Sequence, residues 1–247
     1  MSDDIPVQVK HVSKAFGGRK VLDDITFDVP KASAFCLLGR SGTGKSVTLR
    51  HLIGLVQPDQ GQIFIEGSDI AALQGRALAE IRKRIGFLFQ SAALFDSMTV
   101  GENVAFPLRR HTDLPDQTIM QRVKEKLGEV GLEGEFEKMP ADLSGGMRKR
   151  AGLARAMALD PPILLVDEPS AGLDPITTGE IDQLLLDLKR QRTTLVVVTH
   201  NIPSARFIGD ELAIIHEGRI VAAGSAQDLD RTRDPLVRGF MQSVGGG

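Results

Sequence analysis

Tryptophan and tyrosine are absent from the 247 residues, and the 11 phenylalanines are the only aromatics. So few rings leave little with which to stack bases. A basic excess is missing too. Lys and Arg number 30 against 32 Asp and Glu, giving a formal net charge of −2, so no overall positive field recruits nucleic acid. The single cysteine, Cys36, excludes an internal disulfide and fits a reducing cytosol. Its place in an apolar run reads as a small, inert core residue. No uninterrupted apolar run reaches transmembrane length, so any link to a membrane must pass through a partner. Met1-Ser2-Asp3-Asp4-Ile5 is acidic and lacks an apolar h-region, so no signal peptide is expected. There is no internal repeat, and the only low-complexity stretch is Gly245-Gly246-Gly247, expected to be disordered. What is present is a 42% hydrophobic composition, enough for one large domain or two small ones with a substantial core.

The most informative stretch is Gly39-Arg40-Ser41-Gly42-Thr43-Gly44-Lys45-Ser46, a G-x-x-x-x-G-K-S phosphate-binding loop. Its glycines let backbone N–H groups converge on phosphate oxygens. Lys45 brings a compact positive charge to the β- and γ-phosphates, and the Ser46 hydroxyl suits Mg²⁺. Ala34 to Leu38 reads as a buried strand before the loop. Val47 to Ile53 after it reads as amphipathic, part of a helix starting near Gly44 that adds the positive end of its dipole. Strand, glycine loop and helix is the context this motif requires.

Elsewhere, Val7 to Phe16 and Val21 to Val29 flank Gly17-Gly18 as a hairpin, an antiparallel edge layer. Phe16 reads either as core or as a platform for an adenine ring. Gln57 to Gly61 is a turn, Gln62 to Ile65 a strand, Arg76 to Arg84 helical, and Ile85 to Phe89 a strand leading to Gln90. Ser91 to Phe95 is apolar but loop-like, with Leu94 and Phe95 either docking a partner or packing inward. A helix starts near Thr99, and Leu114 to Leu132 carries helical spacing. Residues 91 to about 160 thus form a helical insert in an α/β protein. Strands at Ile163–Val166, Thr194–Thr199, Leu212–Ile215 and Arg219–Val221 follow, with a helix over 175–190 and short helices at the end. Their continuous Val, Ile and Leu imply a parallel sheet covered on both faces.

Three further features bear on chemistry. Asp167 and Glu168 end an apolar strand, where Asp167 suits a Mg²⁺ contact and Glu168 a base for the attacking water, or where both simply face solvent in a turn. Asp142-Leu143-Ser144-Gly145-Gly146-Met147-Arg148 opens a helix, as a second anion site or as an ordinary serine N-cap. His200 follows a strand, either to meet a γ-phosphate or to cap the next helix.

Taken together, these residues resemble the nucleotide-binding subunit of ABC transporters across nearly the whole chain. The order is P-loop 39–46, Gln90 of a Q-loop, Leu143-Ser144-Gly145-Gly146 of the signature, Asp167-Glu168 of Walker B, Ala171-Gly172-Leu173-Asp174 of the D-loop, and His200 of the switch histidine. The resemblance implies a P-loop NTPase fold: a single domain over 5–244, its core from 1–90 and 160–224, a helical subdomain over 91–159, and C-terminal helices over 225–244. It implies two subunits paired head to tail, holding two ATP with Mg²⁺. The P-loop of one copy, with Val47 after it, and Ser144 to Gly146 of the other clamp each nucleotide. Phe16 would stack on adenine. Gln90 would contact Mg²⁺ or the attacking water, Glu168 would be the base, and Asp174 would couple the two sites. The loop 91–97 would receive a membrane permease.

Gly44-Lys45-Ser46-Val47, Leu94 to Val100, Glu102 to Leu108 and Ser144 to Arg150 are similar to the Mla/Mkl-type ATPases. Those energise lipid movement with a permease and a mammalian-cell-entry (MCE) domain protein. That likeness implies a homodimer and a peripheral protein on the cytoplasmic face of the inner membrane; residues 225–244 are expected to bind either a small regulatory subunit or the opposite protomer. Val47 and Met147 depart from the wider family, which has threonine and glutamine there; Ser170 keeps the hydroxyl of the usual threonine. Rival expectations are a polar-solute importer, a soluble ABC protein acting on ribosomes or DNA, and a non-hydrolysing module. The near-neutral charge opposes the second, and intact Lys45, Asp167, Glu168 and His200 oppose the third.

Overall fold

The computed structural model describes residues 5–242, so residues 243 and 244 and the terminal glycines lie outside it. The chain opens with β1 (Val7–Phe16) and β2 (Arg19–Val29), paired antiparallel. Gly17 and Gly18, at φ 55° and 80°, make the two-residue turn between them, a backbone conformation that hairpins favour and glycine reaches without strain. After β3 (Ala34–Leu38) comes α1 (Lys45–Leu52), then β4 (Gln60–Ile65) and β5 (Ser68–Asp69). The first sheet runs β2-β1-β4-β5. Helix α2 (Gly75–Lys83) and β6 (Ile85–Leu88) lead to three helices: α3 (Val100–His111), α4 (Asp116–Glu129) and α5 (Gly145–Ala156). The remainder alternates: β7 (Ile163–Asp167), α6 (Pro175–Arg190), β8 (Thr194–Thr199), α7 (Ile202–Ile208), β9 (Glu211–His216), β10 (Arg219–Gly224), α8 (Ala226–Asp230) and α9 (Pro235–Gln242).

The second sheet has six strands in the order β10-β9-β3-β8-β7-β6. All neighbours are parallel except β10, which turns back antiparallel on β9 through Glu217 and Gly218. The expected parallel sheet therefore carries one antiparallel edge strand. Side chains alternate along these strands between two cores. Cys36, Leu38, Leu164, Val166, Leu195 and Val197 face the helices α3 to α7. Phe35, Leu37, Ile163, Leu165, Val196 and Val198 face α1 and the first sheet. Both faces are covered, which is why the strand sequences are apolar throughout instead of alternating.

Several element bounds differ from those expected. Helix α1 does begin where expected, at Lys45 directly after Gly44, whose φ of 104° turns the loop into the first helical turn; it ends at Leu52, one residue short of Ile53. Helix α4 is narrower than 114–132; Pro115 precedes it with extended ψ, and Gly131 at φ 67° lies beyond its end. Strand β5, Ser68–Asp69, is too short to leave a period in the sequence. Thr99 and Glu102 form a reciprocal capping box at the start of α3.

The topology brings the tips of β3, β8 and β7 side by side: Leu38 pairs with Thr199, and Asp167 with Val198. Three chain segments after carboxyl ends of adjacent parallel strands thus meet at one edge of the sheet, where open α/β sheets bind ligands.

Candidate functional site

A cavity of about 250 Å³ lies at this edge. Ser41, Gly42, Gly44, Lys45, Ser46, Val47, Gln90, Glu168 and His200 line it, together with Val21, a residue the sequence did not single out. Val21 sits there because the hairpin packs on the loop. A Cβ on Gly44 would stand 2.6 Å from Leu22 Cδ2 and 2.9 Å from the Val21 carbonyl, so only glycine allows that approach.

Lys45 is 6% exposed. Its ammonium donates to the Gly39 carbonyl at 2.7 Å and the Arg40 carbonyl at 3.1 Å, and lies 3.2 Å from Glu168 Oε1. Three donors thus meet three oxygens. Thr43 Oγ1 donates to the Arg40 carbonyl at 2.9 Å, tightening the loop. Glu168 Oε2 accepts from the His200 backbone N–H at 3.2 Å and lies 2.8 Å from His200 Nδ1. One buried carboxylate therefore bridges the lysine and the histidine. Glu168 itself holds φ at 46°, a left-handed conformation costing about 1–2 kcal/mol for a residue with a Cβ. Its N–H donates to Val198 O at 2.9 Å, and its carbonyl accepts from Lys149 Nζ at 2.9 Å and Ala171 N at 3.2 Å. Backbone strain overdetermined by its surroundings clusters at functional sites.

Ser46 Oγ donates to Asp167 Oδ1 at 2.9 Å. Burial pushes the Asp167 carboxyl above its ordinary range, while the Ser46 hydrogen bond opposes the shift. The two oxygens stand side by side as hard donors. Among the described residues no cluster of three or more His, Cys, Asp or Glu could hold a metal alone. A cation here would complete its shell with oxygens of a ligand and water, which suits Mg²⁺.

The other predicted site residues lie outside this cavity. Ser144 caps α5, accepting from Met147 N at 3.2 Å. Gly146 allows α5 to cross α6; a Cβ there would meet Thr177 Cγ2 at 2.3 Å. Asp174 caps α6, accepting from the N–H groups of Ile176 and Thr177 and from Thr177 Oγ1. Phe16 is 47% exposed at the hairpin tip, with the Lys14 ammonium 5.4 Å from its ring centre, so it is not a core residue. Within one chain, Ser144, Gly145, Gly146, Asp174 and Phe16 do not line the cavity that holds Lys45 and Glu168.

A separate apolar groove of about 540 Å³ includes Phe89, Phe95, Phe106, Pro107 and Arg155. The Phe95 and Phe106 rings lie 4.9 Å apart, with Arg155 5.7 Å from the Phe95 ring. Leu94 packs against the core, as the inward reading has it, whereas Phe95 is 42% exposed and does not pack inward.

Comparison with known proteins accords with this geometry. The ABC transporter family profile matches residues 22–171. The chain is 45% identical over 238 residues to the probable ribonucleotide transport ATP-binding protein mkl of Mycobacterium leprae, covering 96% of this chain and 69% of that protein. It is 43% identical over 242 residues to the intermembrane phospholipid transport system ATP-binding protein MlaF of Escherichia coli K12, covering 98% and 90%. An ATP-binding cassette solved as a dimer in a post-hydrolysis state with ADP and Pi superposes with a TM-score of 0.82 at 33% identity, over 89% of this chain and 98% of that one. The chain belongs to the ABC transporter family, as its ATP-binding, ATP-hydrolysing cassette.

Proposed function

We propose that this chain is the motor subunit of a lipid transporter, a single cassette domain that works as a homodimer. The observation that carries the dimer is the division of the site residues. Lys45, Ser46, Gln90, Glu168 and His200 share one cavity, while the serine-glycine cap of α5 and Asp174 lie outside it. A second copy, turned head to tail, brings that cap to the nucleotide. Each composite site then has a lysine-bearing cradle from one copy and free helix N–H groups from the other.

The roles follow from the contacts. The Gly42 to Ser46 backbone and Lys45 bind the β- and γ-phosphates. Phosphate oxygens compete for the Lys45 ammonium and release Glu168 from it. Glu168, oriented by His200, then accepts a proton from the attacking water. Ser46 and Asp167 would hold Mg²⁺, with Gln90 nearby; the ion would neutralise charge developing on the phosphate oxygens. Phe16, exposed at the hairpin tip, stacks on adenine, and Arg40 to Thr43 and Val47 complete the cradle.

The names of the relatives give two cargo classes, phospholipid and ribonucleotide. The phospholipid reading is favoured because the chain spans 90% of the relative so named, against 69% of the other. No helix among the described residues is long and apolar enough to cross a membrane. In this reading a membrane permease docks on the chain, and the exposed apolar groove around Phe95 and Phe106 is the surface for it. An MCE-domain protein in the same complex, a peripheral position on the cytoplasmic face, and a small regulatory subunit at the C-terminal helices belong to the same reading. Purification from native membranes, with mass spectrometry of bound proteins and lipids, tests it. A permease with an MCE protein and phospholipid is expected; a permease with a nucleoside- or amino-acid-binding protein and no lipid would overturn the cargo assignment.

A further inference from the structure

Lys149 lies on α5, one turn after the serine-glycine cap, and is 5% exposed. An ammonium taken out of water is costly unless it serves a partner, and an apolar side chain would fill this position more cheaply. Its partner is the backbone carbonyl of Glu168, 2.9 Å from Nζ. That carbonyl belongs to the residue whose φ of 46° is the strained point of the site. The carboxylate of the same residue is held at its far end by Lys45 and His200. Fixing the peptide plane after Glu168 fixes the direction in which its side chain leaves the strand.

The contact also joins two elements with different tasks. Helix α5 presents Ser144 at one end, whereas Glu168 stands in the cavity with Lys45. If the dimer described above forms, α5 serves the nucleotide held by the other copy, and Glu168 the nucleotide held by its own. We propose that Lys149 is a positioning residue that ties the serine-glycine helix to the Glu168 backbone, so that seating the cap on one nucleotide sets the carboxylate at the other. The proposal rests on the ATPase reading and adds to it a connection inside one copy.

The test uses the full-length chain purified with its membrane partner, with ATP and magnesium. Lys149→Met keeps an unbranched side chain of similar length and removes the donor. Lys149→Gln keeps a donor without the charge. The methionine variant is expected to lose about tenfold or more in kcat with KM for ATP within about twofold, because nucleotide binding does not use Lys149. Glutamine is expected to recover at least about a third of wild-type kcat. Melting temperatures near wild type for both variants separate positioning from folding. Wild-type kcat in Lys149→Met overturns the proposal, as does a glutamine variant as slow as methionine. So does a methionine variant that fails to fold while glutamine restores both fold and rate, since the contact would then be structural. Wild-type protein without ATP turnover, or turnover unaffected by Lys45→Ala, would instead remove the reading on which the proposal stands.

Discussion

Glu168→Gln removes one charge and almost no volume, at the carboxylate bridging Lys45 and His200. The wild-type carboxylate is acceptor-only and faces three donors: Lys45 Nζ at Oε1, and the His200 N–H and ring at Oε2. An amide can keep its oxygen toward Lys45. Its NH₂ then faces His200, where the ring can accept through Nδ1 by changing tautomer but the backbone N–H cannot. One donor is left poorly matched, a cost of about 1–3 kcal/mol, partly offset because a desolvated charge has gone. For a chain of this size each kcal/mol is worth roughly 2–4 °C in Tm, so the variant stays folded at ambient temperature. The activity change is far larger. Loss of a general base costs about 10²–10⁴-fold, or about 2.7–5.5 kcal/mol in the barrier. ATP affinity is expected to hold or rise, since Lys45 no longer has an anion competing with phosphate. Steady-state phosphate release and equilibrium nucleotide binding on the same preparation read both effects. Turnover within tenfold of wild type would refute the assignment of Glu168 as base; loss of ATP binding in step with turnover would refute the separation of its role from that of Lys45.

Three further outcomes are expected. Gly146→Ala places a methyl 2.3 Å from Thr177 Cγ2, so either Thr177 rotates and gives up its hydrogen bond to Asp174 or α5 and α6 move apart, costing about 1–3 kcal/mol; thermal melting should fall by several degrees and ATPase with it. Phe95→Glu should leave ATP binding and fold intact but reduce permease co-purification, whereas Leu94→Glu, packed against the core, should lower Tm; the two are separated by pull-down and melting curves. Cys36 is fully buried and its thiol is pushed up to about 12 by burial, from an ordinary value of 9.0. Because the folded value is raised, this group's contribution is fully present below pH 9 and is lost as pH rises toward 12. A thiol reagent at pH 8 should therefore react only on unfolding, and rapid labelling of native protein would contradict the burial.

The parts of the site that lie on one short stretch were legible in the sequence. The P-loop, with its strand and helix, and the acidic pair at the end of β7 are local patterns whose periodicity and turn chemistry state their own context. What depends on tertiary placement was not. Lys149 reads as one charge in a basic helix until β7 brings the Glu168 carbonyl against it, 19 positions away. Leu94 and Phe95 read either way in the sequence because their orientation is set outside the motif. Ala92 and Ala93 take positive φ values of 61° and 49°, and the Asn103 side-chain amide clasps the Phe95 backbone, its oxygen accepting from the Phe95 N–H and its nitrogen donating to the Phe95 carbonyl. Phe16 reads two ways for the opposite reason: it lies at the hairpin tip, beyond the last β1–β4 pair at Ser13, and its ring stays outside both cores.

In the proposed mechanism two copies of this chain close on nucleotide. Sedimentation of Glu168→Gln with and without ATP and magnesium addresses it most directly, since the variant should bind without turning over. A species of twice 26.7 kDa that forms with ATP and is lost when Ser144→Arg is added is the expected result. A particle that remains a single chain at saturating ATP, while the wild-type monomer hydrolyses at its full rate, would contradict the account.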